Sequence, residues 1–326
     1  MRYPKPLKQG AVVGLVAPSS PVENQECIDC EKRLREMGFQ VIVAKSLKRG
    51  AKIWGYLAGE ARERAEEMNE MFQNPQVEAV FCIRGGYGSS QLLEYLDYET
   101  IRRNPKVFVG FSDITSLHSV FQRYCDFVTF HGPMVKSNFL DGPGSEEWDY
   151  MVSSLWKACS GRPFFFQNPG NERMETVTLG QASGRLTGGN LSVLAKSLGT
   201  PYEPDFQDAI LFLEDVGETV PRIDMYLTQL YHAGVFHRVR GVLLGDFTDC
   251  TNHAFEPGLM VKDFLREWFG GQKVPVLGNL YSDHRKVMGT LPMGAMCWMD
   301  AGDQRVMFWP KEEQELTALP GGCKGI

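Results

Sequence analysis

No stretch of the 326-residue sequence is apolar for long enough to span a membrane, so a membrane-embedded protein is not expected. Positive charge is also short. Lys and Arg number 34 against 40 Asp and Glu, a net charge of −6 with a pI near 5.6, which removes the basic footprint of nucleic-acid binding. Cysteine is present but not organised: Cys27, Cys30, Cys82, Cys125, Cys159, Cys250, Cys297 and Cys323 are scattered. A chain of this size needs no disulfide staples, and reduced thiols are expected. The one close pair, Cys27-x-x-Cys30, falls inside a predicted helix with no second pair at zinc-finger spacing, and away from the strand-to-helix turn of a redox motif. No metal-ligand spacing is present, and neither metal nor cofactor is expected. Internal repeats and low-complexity segments are missing as well.

Length favours two domains. Near the N-terminus, basic residues precede the short apolar run Ala11–Ala17, and Pro18 and Pro21 follow it. This is read as the first strand of the fold and not a secretory signal, which places the protein in the cytoplasm. From residue 11 to about 134, apolar strands alternate with amphipathic helices. The strands are expected at Ala11–Val16, Phe39–Val43, Val77–Ile83, Val107–Val109 and Phe127–Phe130, with helices at Asn24–Met37 and Glu60–Phe72 between them. Such alternation indicates an α/β fold with a parallel sheet covered on both faces. The pattern changes after about Lys136, and Phe164–Gly170 reads as a hinge-like run. We therefore expect an N-terminal α/β domain over 1–160, a linker over 161–180 and a C-terminal domain over 181–326. Further apolar strands in that second domain are Ala209–Leu213, Val239–Leu244 and Val274–Leu280.

Chemistry is expected beyond the carboxyl ends of such strands. Lys106–Thr115 reads K-V-F-V-G-F-S-D-I-T, a buried strand that breaks at Gly110 and turns into a helix beginning at Ser112. A serine there is an acyl-transfer nucleophile beside unpaired N–H groups, or simply a helix N-cap; on this stretch alone the cap reading outweighs the other. The neighbouring strand ends in Arg84-Gly-Gly-Tyr-Gly88. With no Lys-Ser/Thr and no G-x-G-x-x-G following, that turn is not a phosphate loop. In the second domain Ala209–Leu213 runs straight into Glu214, and Val274–Leu280 is followed closely by His284. Singly, each has a bland reading, an exposed loop carboxylate and a packing histidine. Together, Ser112, Glu214 and His284 fall in the order nucleophile, acid, histidine seen in α/β-hydrolases, but the second glycine of G-x-S-x-G is missing. His131, in Phe130-His-Gly-Pro133, competes with His284 as the base. His118 and His232 fall in helices, and His237 and His253 in polar loops.

Gly14-Leu-Val-Ala-Pro-Ser-Ser20, Arg84–Gly88, Gly110–Thr115, Thr187-Gly-Gly-Asn-Leu191, Phe212–Glu218 and Gly289-Thr-Leu-Pro-Met-Gly294 occur in order across nearly the whole chain. On these segments the sequence resembles the LD-carboxypeptidase family, serine peptidases that include muramoyl-tetrapeptide carboxypeptidases. The resemblance implies an N-terminal domain like class I glutamine amidotransferases, a β-rich C-terminal domain, an active site between them, and a homodimer. It implies Ser112 as nucleophile, His284 as general acid/base and Glu214 as its orienting group, with D-alanine released from murein tetrapeptides. The Asp113 amide and the Gly85-Gly86 turn would hold the oxyanion. Arg84 either recognises the substrate carboxylate or braces its own turn. Two positions depart from the family pattern: Asp283 precedes His284, and Met225 follows Ile223-Asp224 where an arginine is usual. Two other functions stand beside this one. The first is a microcin-type immunity hydrolase acting on an aminoacyl-nucleotide, which needs an aromatic surface; Trp268, Tyr281, Tyr226 and Tyr231 are the candidates. The second is a non-enzymatic peptide-binding module.

Overall fold

The computed structural model describes residues 1–252 and 258–310; His253 and Cys323 lie outside them. Local signals explain many of the element boundaries. The helix Asn24–Glu36 opens with a capping box between Glu23 and Glu26, and Gly38 takes the left-handed conformation (φ 90°) just beyond its end. The helix Glu146–Ala158 is capped by the Ser145 side chain.

Strands β1 (Val12–Val16), β2 (Gln40–Val43), β3 (Ala79–Cys82), β4 (Val107–Gly110) and β5 (Thr129–His131) form a parallel sheet in the order β5-β4-β3-β1-β2. β3 and β4 are apolar and buried throughout, as expected of strands with both faces covered. A sixth strand closes the β5 edge from far along the chain. It is Leu291–Met293, antiparallel, with Leu291 opposite His131.

The other strands are β6 (Phe164–Phe166), β7 (Glu175–Thr178), β8 (Gln181–Asn190), β9 (Ala209–Val216), β10 (Gly241–Thr248), β11 (Val276–Gly278), β12 (the Leu291–Met293 strand just described), β13 (Met296–Asp300) and β14 (Arg305–Trp309). Apart from β12, these form an eight-stranded sheet, β6-β14-β13-β8-β9-β10-β11-β7. Its centre, β8 to β11, is parallel, and the wings are antiparallel. Residues 161–180 thus supply both outer strands, and the hinge-like run expected from Phe164 begins as one of them. Alternation along β9 divides the core. Leu211 and Leu213 pack with Leu227 and Leu230 of the helix Val220–His232, while Ile210 and Phe212 face Leu243 and Leu291 on the other side. Glu214 has the parity of Phe212. It therefore falls on the side to which β12, a strand of the first sheet, also contributes.

The two sheets meet through the helix Thr115–Val120, which packs on β8 and on the helix Leu191–Ser197. Gly189 (φ 134°) permits this approach, because a Cβ there would lie 2.5 Å from Thr115 Oγ1. Thr115 Oγ1 in turn accepts the Asn190 N–H at 3.0 Å. Among the described residues, no helix is long and apolar enough to cross a membrane.

Candidate active site

The turn after β4 is strained. Phe111 is extended (φ −149°), and Ser112 takes φ 65°, the left-handed region, which costs an L residue about 1–2 kcal/mol. A short 3₁₀ turn, Ser112–Ile114, precedes the α-helix that starts at Thr115. The Ser112 side chain caps no helix N–H, which overturns the cap reading: it is lifted out of the turn and half-exposed. Gly85 lies directly against it. A Cβ at Gly85 would stand 3.0 Å from Ser112 Cβ and 3.2 Å from Oγ. Among the described residues, neither the Asp113 nor the Gly86 amide donates a backbone hydrogen bond outside the regular elements, which leaves two N–H groups at this corner as oxyanion candidates.

The Asp113 carboxylate has a structural task that the sequence does not reveal. It accepts the Ser19 hydroxyl at 2.6 Å and the Ser89 N–H at 2.8 Å, while Ser89 Oγ donates to the Asp113 carbonyl at 2.6 Å. The loops after β1, β3 and β4 are thereby tied at one buried point. Burial raises the Asp113 carboxyl above its ordinary value, against the hydrogen bonds from Ser19 and Ser89 and the nearby Arg64 guanidinium. Arg64, itself buried, donates to the carbonyls of Pro18 and Gly88 and to Gln91. Arg84 donates to the Pro21 carbonyl at 3.4 Å, a bracing contact.

Glu214 lies inside β9 and not just after a strand, because β9 continues to Val216. Its side chain is fully buried, which removes the exposed-carboxylate reading. His284, in the loop after β11, places Nδ1 2.6 Å from Glu214 Oε2. Burial alone would push the imidazole down, but Glu214, with Asp215 and Asp283, outweighs it and holds His284 above the usual histidine value. Glu214 feels burial most strongly and is held above its ordinary value, with His284 pulling the other way. Phe111 joins the halves: its ring meets the His284 ring edge-on at 4.9 Å. No hydrogen bond links Ser112 to His284.

Asp283 anchors the histidine loop. Its carboxylate accepts the Asp246 N–H at 2.8 Å and the Arg285 N–H and Nε at 2.9 Å. Arg285 also donates to Asn279 and the Leu280 carbonyl and stacks over Tyr281. The Asp283 departure thus adds a buried ion pair to the loop and negative charge near the imidazole. Met225 is exposed on the helix Val220–His232. A further network escaped sequence reasoning: Asn190 Nδ2 donates to Asp215 at 2.9 Å, and the Ser192 N–H does so at 2.8 Å. Its only signal was the Thr187–Leu191 segment.

His131 is not placed as a base. It is fully buried, neither ring nitrogen meets full hydrogen-bond geometry among the described residues, and burial drives its pKa well below the ordinary value, against a contact with the Ser282 backbone. His118 is also buried, with Nε2 at 2.8 Å from the Gly110 carbonyl and Nδ1 at 2.8 Å from Thr129 Oγ1. His237 lies in a short helix, Val235–Arg238, and not in a loop.

Comparisons with known proteins define the class. Residues 13–132 match the LD-carboxypeptidase N-terminal domain and residues 183–299 the LD-carboxypeptidase C-terminal domain. The chain belongs to the LD-carboxypeptidase family and is a serine-type carboxypeptidase, a hydrolase. It is 33% identical over 305 residues to a probable murein peptide carboxypeptidase of Bacillus subtilis, covering 94% of this chain and 93% of that one. The crystal structure of a muramoyltetrapeptide carboxypeptidase from Oxalobacter formigenes superposes with a TM-score of 0.80 at 26% identity, covering 92% of this chain and all of that one (100%). The microcin C7 self-immunity protein MccF of Escherichia coli is 27% identical over 334 residues, covering 92% of this chain and 94% of that one. Its complex with aspartyl sulfamoyl adenosine superposes with a TM-score of 0.84 at 25% identity, covering 95% and 99% of the two chains.

Proposed function

We propose that this carboxypeptidase hydrolyses the L,D-peptide bond that releases the terminal D-alanine of murein tetrapeptides, through an acyl-enzyme on Ser112. The observation that carries the reading is the buried Glu214–His284 pair, 2.6 Å apart, set against the strained Ser112 turn by Phe111. In this scheme His284 takes the Ser112 proton as Oγ attacks the scissile carbonyl. Glu214 fixes the tautomer and stabilises the imidazolium. The Asp113 and Gly86 amides receive the oxyanion, each such donor contributing about 2.7–4 kcal/mol in comparable sites. His284 then protonates the departing D-alanine amine, and water, deprotonated by the same ring, frees Ser112. Arg84, beside the glycine turn, supplies a guanidinium for the substrate's C-terminal carboxylate in addition to its Pro21 contact. The murein substrate is supported by the names of the Bacillus and Oxalobacter relatives. A cytoplasmic homodimer acting in peptidoglycan recycling completes the proposal.

One feature favours a second reading, an amide substrate that carries a nucleotide. The aromatics expected for base stacking are largely engaged elsewhere: Tyr226 is buried, Trp268 packs on Phe236 and Phe269, and Tyr281 lies under Arg285. The half-exposed Tyr56 stands instead beside Tyr87 of the glycine turn, with the two rings 6.0 Å apart, and Trp54, two residues before Tyr56, is 83% exposed. Side-by-side turnover of a murein tetrapeptide and an aminoacyl-sulfamoyl adenosine separates the readings. The proposal requires faster turnover of the tetrapeptide, and the reverse order overturns it.

A further inference from the structure

The proposed chemistry gives the buried His118 and His131 no task; His118 is held by Gly110 and Thr129, and His131 lies against the site. It ends β5, beside the nucleophile strand, with Gly110 opposite it in register. On its other side it is opposite Leu291 of β12, which reaches this sheet from the second half of the chain. Its ring lies 5.9 Å from Phe111 and meets Phe212 edge-on at 5.2 Å. Phe111 immediately precedes Ser112, and Phe212 lies two residues before Glu214 on the same side of β9. The imidazole therefore occupies the space between the residues that carry the nucleophile and the acid. Neither nitrogen meets full hydrogen-bond geometry among the described residues; the Ser282 backbone is the polar group that acts on the ring, and its other neighbours here are aromatic, so the ring acts chiefly through its volume.

We propose that His131 is a positioning residue, a neutral wedge across the seam of the two sheets that sets the separation of Ser112 from the Glu214–His284 pair. The inference rests on the acyl-enzyme reading above. The ring's neutrality is part of the fit. His118 faces it from the helix Thr115–Val120 at 6.3 Å, and His284 faces it from the loop after β11. Glu214 and Asp215 of β9, and Asp283 of the loop, act on His284. A second cation at position 131 would oppose the imidazolium that His284 becomes. Removing the ring lets the seam close or fill, which displaces Oγ from the base and admits water to the buried pair. A misplacement of about 1 Å costs on the order of a hundredfold in rate.

The test compares His131→Ala and His131→Phe with the wild type for D-alanine release from a murein tetrapeptide, with thermal melts to establish folding. His131→Ala should lower kcat by about tenfold or more with KM within about threefold. Its acid limb should move toward the ordinary histidine value as the pair becomes wetter. His131→Phe keeps an aromatic ring in the seam, somewhat larger than the imidazole and without its contact to the Ser282 backbone, so it should restore most of kcat and the pH profile. A folded His131→Ala variant with wild-type kcat and pH profile overturns the wedge, as does a folded His131→Phe variant as impaired as His131→Ala. If His131→Ala does not fold, His131→Phe alone decides. A wild-type enzyme that releases no D-alanine refutes the substrate reading instead. Labelling of Ser112 by a serine-directed reagent, slowed in His131→Ala and restored in His131→Phe, then still tests the wedge.

Discussion

Asp113 and Ser89 hold each other twice: the Ser89 N–H donates to the Asp113 carboxylate at 2.8 Å, and the Ser89 hydroxyl donates to the Asp113 carbonyl at 2.6 Å. The pair locks the glycine turn Arg84–Gly88 onto the turn that presents Ser112. Two proposed oxyanion donors on separate loops, the Asp113 and Gly86 amides, thereby share one fixed geometry.

Asp113→Ala strands the Ser19 hydroxyl and the Ser89 N–H in the interior and leaves the buried Arg64 without its nearby carboxylate. Breaking such a buried set by removing one partner destabilises by about 3–5 kcal/mol. Urea unfolding should show this loss, and kcat should fall in whatever fraction stays folded. Asp113→Asn, which keeps the shape, should lose less on both counts. Equal stability of Asp113→Ala and wild type would refute the role of the clamp.

Glu214→Gln tests the charge behind His284. Burial lowers the imidazole pKa, and the Glu214 carboxylate raises it, so the variant is left mainly with the lowering influence. A general base must be neutral to work, and activity therefore rises with pH through its pKa. In the wild type the acid limb of kcat/KM should lie above the ordinary histidine value of about 6.5. In Glu214→Gln it should move to lower pH while kcat drops by about a hundredfold or more. An unmoved limb would contradict the pairing.

These sites were unequally legible. The strand-to-helix turn at Ser112 could be read because an apolar run, a glycine and a helical repeat are local signals, and the same holds for the α/β alternation of the first half. The exposure of Ser112 at φ 65° could not, since nothing in Gly110-Phe-Ser-Asp distinguishes a cap from an elbow. β12 was invisible: three residues containing Pro292 pair with β5, far away in sequence, and carry no periodicity of their own. Glu214 reads as the residue just after its strand, since a charged residue usually marks a strand's end, but it lies inside β9 with Oε2 paired to His284. The task of the Asp113 carboxylate has no local signal either, because its partners Ser19 and Ser89 are brought to it only by the sheet order β4-β3-β1.

Gly85→Ala addresses the nucleophile with little effect on the core. Its added Cβ meets chiefly Ser112, at 3.0 Å from Cβ and 3.2 Å from Oγ. The serine must shift by a few tenths of an ångström, so kcat should fall by about tenfold or more. The melting temperature should stay close to that of the wild type. A variant with full activity would place the nucleophile elsewhere.

His118 predicts an acid-side loss of stability. Burial pushes it down to about 4, so as pH falls below about 6.5 the unfolded chain takes up this proton before the folded one. The contribution is complete above about 6.5 and is lost progressively toward pH 4, amounting to about 3 kcal/mol. Denaturant midpoints across this window should therefore fall with pH in the wild type by more than in His118→Gln. Parallel curves for the two proteins would contradict a histidine buried in the neutral form.

The central claim is that Ser112 forms the acyl-enzyme. The most direct measurement is mass-spectrometric detection of D-alanine released from L-Ala-γ-D-Glu-diaminopimelate-D-Ala by wild type and by Ser112→Ala, with circular dichroism to establish that the variant is folded. The wild type should release D-alanine, and the folded variant should release none above the uncatalysed background. Release at the wild-type rate by Ser112→Ala would contradict the assignment.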